Sequence, residues 1–188
     1  LKRRNLEPVA ASTVERNTVA VAKAEADIVP SNANAIVQIS AYKSCAAFIR
    51  AARKAGFGGT FHNVSFVGTQ ALADELGPDG KGVVISQVMP FPYSQSMPIT
   101  REFHAAIAKA NGVAANYSSL EGYLAAKVFA DGLRRAGRNP TREQLISGLE
   151  AIQRADFGGF AVDFGVRDRV ASSYVDLSML TGDGKVRR

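Results

Sequence analysis

Tryptophan is absent from these 188 residues, cysteine occurs once, histidine twice, and no apolar run approaches a membrane span. Each scarcity removes a class of explanation. The single Cys45 has no partner for an internal disulfide, and its place at the start of an alanine-rich stretch suits a small buried filler better than a reactive thiol. His62 and His104 have no carboxylate or cysteine at ligand spacing, whereas a zinc site needs three or four convergent ligands, so structural or surface roles and no cofactor are expected. An aromatic share of 8% offers little for stacking unpaired bases. A bilayer crossing takes about 20 apolar residues in succession, and the opening residues also lack the apolar core of a signal peptide. Missing too is the G-x-S-x-G elbow of many serine hydrolases. The glycine cluster at 56–61 ends in Phe61 and follows a helical pattern, so it fails the dinucleotide fingerprint on both counts. Gly80-Lys81 and Gly184-Lys185 lack the remaining residues of a phosphate loop and read as turns.

What is present is an ordinary globular composition, 46% hydrophobic, with a formal charge of +6 and a pI near 9.7. The basic residues are scattered, at Lys2, Arg3 and Arg4, at Arg134, Arg135 and Arg138, and at Lys185, Arg187 and Arg188. Phosphate binding gains strength from clustered cations, so this dispersal argues for a solvated surface and no nucleic-acid partner.

Periodicity supplies the architecture. Residues 7–15 are strand-like in composition and 18–26 suit a short helix. The apolar run 35–39 reads as a buried parallel strand, and 45–55 as a helix with Phe48, Ile49 and Ala52 on one face, stopped by Gly56. A strand at 60–66, a helix at 69–76 ended by Gly77 and a strand at 82–88 follow. This β-α-β-α-β alternation predicts a parallel sheet in a three-layer α/β/α arrangement. Residues 89–98 hold three prolines and read as a crossing between lobes. Helices are expected at 100–110, with Phe103 and Ile107 inward, at 119–135 and at 142–153. Ser118 with Glu121, and Thr141 with Gln144, have capping-box spacing. After Asp156 come strands and turns, including 160–164, 173–180 and a Gly182-Asp183-Gly184 turn.

The stretch AIVQISAYKSCAAFIR, residues 35–50, is where chemistry can sit. In open parallel sheets ligands lie beyond the carboxyl ends of the strands, where loops feed helix N-termini. Ser40 and Ala41 are small enough for close backbone approach, and Tyr42 offers a ring with a hydroxyl. Two readings stay open. Ser44 either caps the helix or faces a ligand, and Tyr42 either flanks a solute or packs on the helix side.

The ordered set AIVQISAYKSCAAFIRAARKAGF, GVVISQVMPFP, SSLEGYLAAKVFADGLRRAG with RNPTREQLISGLEAI, and DFGGFAVDFG with a final GDGK resembles type I periplasmic solute-binding proteins. The match is to the branched-chain amino-acid and amide group of ABC importers, and it spans essentially the whole chain. The resemblance implies a periplasmic protein, without enzymatic activity, that closes two lobes on a small solute and hands it to a membrane permease. It implies that residues 1–91 are most of the second lobe, 92–156 a helical part of the first and 157–188 the returning strands, and that the chain is truncated at its N-terminus. Carried over by position, the ligand contacts fall at Ser40, Ala41, Tyr42, Ser65 and Phe66. Branched-chain amino-acid binders place an acidic residue where this chain has Ser65. A neutral hydroxyl supplies no charge-assisted bond to an ammonium, which shifts expectation toward carboxylates, aromatic acids or amides. The same fold also serves as the ligand-sensing domain of transcription regulators and receptors, and an enzyme with its catalytic residues elsewhere is a third reading. Without a first-lobe sheet, Phe103, Ile107, Leu124, Val128 and Phe129 are expected to be exposed and to drive formation of a homodimer.

Overall fold

The computed structural model describes residues 2–165 and 169–188. In chain order its elements are α1 (Ala22–Ile28), β1 (Ala35–Gln38), α2 (Tyr42–Lys54), β2 (Thr60–Val64), α3 (Thr69–Leu76), β3 (Val84–Gln87), α4 (Pro98–Ile107), α5 (Tyr117–Ala136), α6 (Arg142–Glu150), β4 (Ala155–Asp156), β5 (Ala161–Val162), β6 (Asp176–Leu180) and β7 (Val186–Arg187). They form two compact units, Leu1–Ser86 with Leu177–Arg188, and Gln87–Asp176.

The first unit is a sheet of order β1-β2-β3-β6-β7. β1, β2 and β3 run parallel, with Gln38 opposite Asn63 and Asn63 opposite Ile85. Beyond them the Leu180 amide donates to the Val83 carbonyl at 2.9 Å and the Ser178 hydroxyl to that of Ile85 at 3.3 Å, so β6 runs against β3. β7 returns antiparallel to β6 through the expected glycine turn. There the Thr181 hydroxyl and Lys185 hold the Asp183 carboxyl well below the usual carboxylate range.

One face of this sheet is covered. Ile36, Phe61 and Ile85 meet the apolar stripe of α2 (Phe48, Ile49, Ala52) and of α3 (Leu72, Ala73, Leu76), all buried. Burial of each large side chain contributes about 1.5–3 kcal/mol. Arg53 of α2 secures the far end, donating to the Lys81 carbonyl at 2.9 Å while its guanidinium lies 5.6 Å from the centre of the Phe61 ring. The other face is open. Val37, His62 and Val84 share a row by register, and Val37, Leu177 and Met179 are exposed.

The second unit has its own core of Ile99, Phe103, Leu120, Leu124, Ile152, Phe160 and Val162. The expectation of a bare helical face is therefore corrected. Phe103 and Leu124 are buried, Ile107 and Val128 pack against the same core, and of the five only Phe129 stays exposed. The β4–β5 hairpin supplies the cover that sequence reading assigned to a sheet elsewhere, because it brings Phe160 and Val162 onto α4 and α5. What remains is an apolar groove of about 400 Å³ between α5 and the chain around Phe164. His104 has the structural role expected, its Nε2 lying 2.8 Å from the Pro92 carbonyl oxygen.

Several boundaries moved for local reasons. Residues 7–15 form no strand. They have no neighbour in a sheet whose outer member is β1, and Val9 stands exposed. α1 begins at Ala22 and not at residue 18, because the Thr18 hydroxyl closes a turn onto the Glu15 carbonyl at 2.9 Å and accepts from the Ala20 amide at 3.3 Å. α5 is capped by Asn116 and Ser119, not by Ser118 and Glu121, whereas the Thr141–Gln144 box opens α6 as expected.

Candidate functional site

The two loops that sequence reading paired leave the carboxyl ends of neighbouring parallel strands. β1 ends at Gln38 and β2 at Val64, one residue past the Gln38–Asn63 register pair. Ser40 and Ala41 thus leave the same sheet edge as Ser65 and Phe66. The strands place them there because parallel pairing puts all carboxyl ends on one side.

The first loop is shorter than expected. α2 starts at Tyr42, with Ala41 as its N-cap in extended conformation, so residues 39–41 alone form the turn and Tyr42 is the first helical residue. Tyr42 is half-buried, and its ring carries Lys43 Nζ at 5.9 Å from its centre. Ser44 is neither cap nor loop. It is buried in the first turn of α2, where its hydroxyl donates to the Thr18 carbonyl at 2.7 Å and ties the segment before α1 to the helix. That partner is 26 residues away, and no local pattern announces it.

In the second loop, Ser65 opens a short 3-10 turn, Ser65–Val67, that ends at Gly68 in a left-handed conformation. Ser65 is half-buried, and its carbonyl accepts from the Gly68 amide at 3.3 Å. Phe66 projects outward, 62% exposed. Ala41 is exposed and Ser40 half-buried, with the Ser40 carbonyl accepting from the Cys45 thiol at 3.4 Å. Cys45 itself is fully buried, and this desolvation pushes its thiol up to about 11 despite the Ser40 hydrogen bond. It is a filler beneath the turn, as its setting suggested.

Two residues to which sequence reading gave no ligand role lie directly below this edge. Gln38 and Asn63 face each other on the covered side of the sheet. Gln38 Nε2 donates to the Cys45 carbonyl at 3.4 Å, which fixes the orientation of its amide. Its Oε1 is buried without a hydrogen-bond partner among the described residues, and so are both side-chain polar atoms of Asn63, a residue only 2% exposed. A signal was available. Period-two alternation from Phe61 puts Asn63 on the core side, where a carboxamide is out of place.

The chemistry this edge offers is recognition. It presents hydroxyls, backbone amides at the uncapped start of α2 and an aromatic ring, with two buried carboxamides beneath. Among the described residues no three His, Cys, Asp or Glu side chains gather as a metal site, and no helix is long and apolar enough to cross a membrane.

Comparison with known proteins places the whole chain. Residues 1–185 match the family model for periplasmic binding protein. Among solved structures, one described as a possible leucine/isoleucine/valine-binding protein from Rhodopirellula baltica SH 1 is 28% identical with a TM-score of 0.91, over 99% of this chain and 52% of its own. A substrate-binding periplasmic protein from Ralstonia solanacearum is 33% identical with a TM-score of 0.86, over 99% of this chain and 54% of its own. A branched-chain amino acid ABC transporter protein from Thermus thermophilus with bound valine shares the fold, with a TM-score of 0.78 at 15% identity over 99% of this chain and 52% of its own. The chain spans about half the length of these structures. No curated protein sequence matches it.

Proposed function

The chain belongs to the periplasmic binding protein family, and from that premise we propose that it is part of the solute-binding component of an ABC importer. The protein captures a small solute between two lobes in the periplasm and delivers it to a membrane permease, performing no reaction. In this reading residues 1–91 are most of the second lobe, 92–156 a helical part of the first and 157–188 the returning strands. The observation that carries it is the shared edge. Two loops rich in small and polar residues, 39–41 with Tyr42 and 65–66, leave adjacent parallel strands on the same side of the sheet. Binding free energy that favours the closed form over the open one drives closure.

The solute is an organic acid, an amide or an amino-acid-like molecule whose contact with the second loop is neutral or acidic. Ser65 has no charge to hold an ammonium. Calorimetric titration of the full-length protein against aromatic acids, short aliphatic acids, amides and branched-chain amino acids tests this. Tyr42→Ala removes a ring-sized apolar contact and weakens the solute by about 1–3 kcal/mol, roughly five- to hundredfold. Tight binding of leucine or valine, unchanged by Tyr42→Ala, would overturn the assignment.

A further inference from the structure

We infer that Asn63 and Gln38 form a subsite for a primary carboxamide on the solute, an inference that rests on the solute-binding reading above. Buried carboxamides nearly always find partners, because a buried donor or acceptor left without one bears its full desolvation cost. Here three such atoms belong to two residues paired in register near the carboxyl ends of β1 and β2: Gln38 Oε1, Asn63 Oδ1 and Asn63 Nδ2. The neighbouring polar groups are already engaged. Gln38 Nε2 is committed to the Cys45 carbonyl, the Ser40 carbonyl to the Cys45 thiol, and the Ser44 hydroxyl to Thr18. The Asn63 carbonyl accepts from the Ser86 hydroxyl at 3.4 Å.

Gln38 is the last residue of β1, and the turn 39–41 follows it directly. That turn leads into an α2 N-terminus whose cap, Ala41, has no side-chain acceptor for the first helical amides. A shift of this turn, or rotation of the Asn63 side chain, brings the carboxamide to the edge where Ser40 and Tyr42 stand.

The unanswered set is two acceptors and one donor group. A primary carboxamide complements it, giving two N–H bonds and accepting through its carbonyl. A carboxylate donates nothing to the two oxygens, and an ammonium accepts nothing from Nδ2. A water has the same donor and acceptor count, so the experiment must separate a solute amide from a buried water.

The test uses the full-length protein, with propionamide and benzamide titrated against propionate, benzoate and benzylamine, and Asn63→Leu compared with wild type in affinity and in Tm. Wild type is expected to bind the carboxamides most tightly. Asn63→Leu should weaken them on the order of ten- to hundredfold, because two or more hydrogen bonds go, while its Tm holds or rises, because an unanswered buried amide goes with them. Asn63→Ala gives the same reading of affinity where the leucine variant fails to fold. Preference for a carboxylate or the amine, absence of carboxamide binding, or unchanged affinity in the Asn63 variants overturns the inference. A fall in Tm for Asn63→Leu together with unchanged carboxamide affinity is the result expected of a residue anchored by an internal water. If Tyr42→Ala weakens a solute that the Asn63 variants leave untouched, the solute-binding reading stands and this inference alone falls.

Discussion

Cys45 and Ser44 are adjacent in sequence, and both are buried in the first turn of α2, yet their positions were not equally legible. A lone cysteine in an alanine-rich helix is readable as filler from composition alone. Ser44 could not be read that way, since its hydroxyl serves a carbonyl far along the chain. Burial fixes the chemistry of the thiol. Desolvation disfavours the thiolate and pushes the group up to about 11 from 9.0. The folded chain therefore holds this proton more tightly than the unfolded chain does. The resulting stability is complete below about pH 9 and is lost as pH rises through about 11. At pH 8 a disulfide-exchange reagent should label Cys45 no faster than the protein unfolds, and at the ordinary thiol rate in denaturant. Rapid labelling of the native protein would show that the turn over Cys45 opens on its own.

At the level of elements, what the sequence disclosed was periodicity, and what it hid was partnership. The parallel order of β1, β2 and β3 followed from alternation and long connections, and the structure has it. The cap of α5 escaped because its reciprocal pair is Asn116 with Ser119, a serine where the familiar box has glutamate or glutamine. Gln38 and Asn63 escaped because their lack of partners is a property of the assembled edge. The packing of α5 on α6 was equally invisible, and it gives a paired test. A Cβ on Gly148 would lie 2.5 Å from the Gly132 carbonyl oxygen and 3.0 Å from the Ala136 nitrogen, both backbone atoms of α5. Gly148→Ala therefore has to push the helices apart and should cost about 1–3 kcal/mol in chemical denaturation. Gly122, in the same α5, has nothing within 4 Å of an added Cβ. Gly122→Ala should instead stabilise by about 0.5–1 kcal/mol through helix propensity. Equal effects of the two would show that α5 and α6 are not in close register.

The first unit leaves exposed apolar side chains on one face of its sheet, and the second keeps the groove along α5. Parallel strands are ordinarily covered on both faces, but here α2 and α3 cover one, while Val37, Ile39, Leu177 and Met179 stand exposed on the other side of the first unit. β1 is also the outer strand, and its sequence Ala35-Ile36-Val37-Gln38 has no lysine, proline or charge of the kind that blunts an edge. With four of the five helical side chains covered, we propose that the homodimer expected from the sequence forms through the sheet instead. Made alone, the 188-residue chain should associate through the open face and the β1 edge, as exposed apolar side chains beside an outer strand favour. Sedimentation velocity across a range of concentrations should show this association. Val37→Lys combined with Met179→Lys should abolish it while leaving the melting transition in place, since both side chains point away from the core formed with α2 and α3. Phe129→Lys, on the exposed side of α5, should leave it intact. Association that survives the sheet-face pair and disappears with Phe129→Lys would return the contact to the helices, and a monomer at every concentration would remove it altogether.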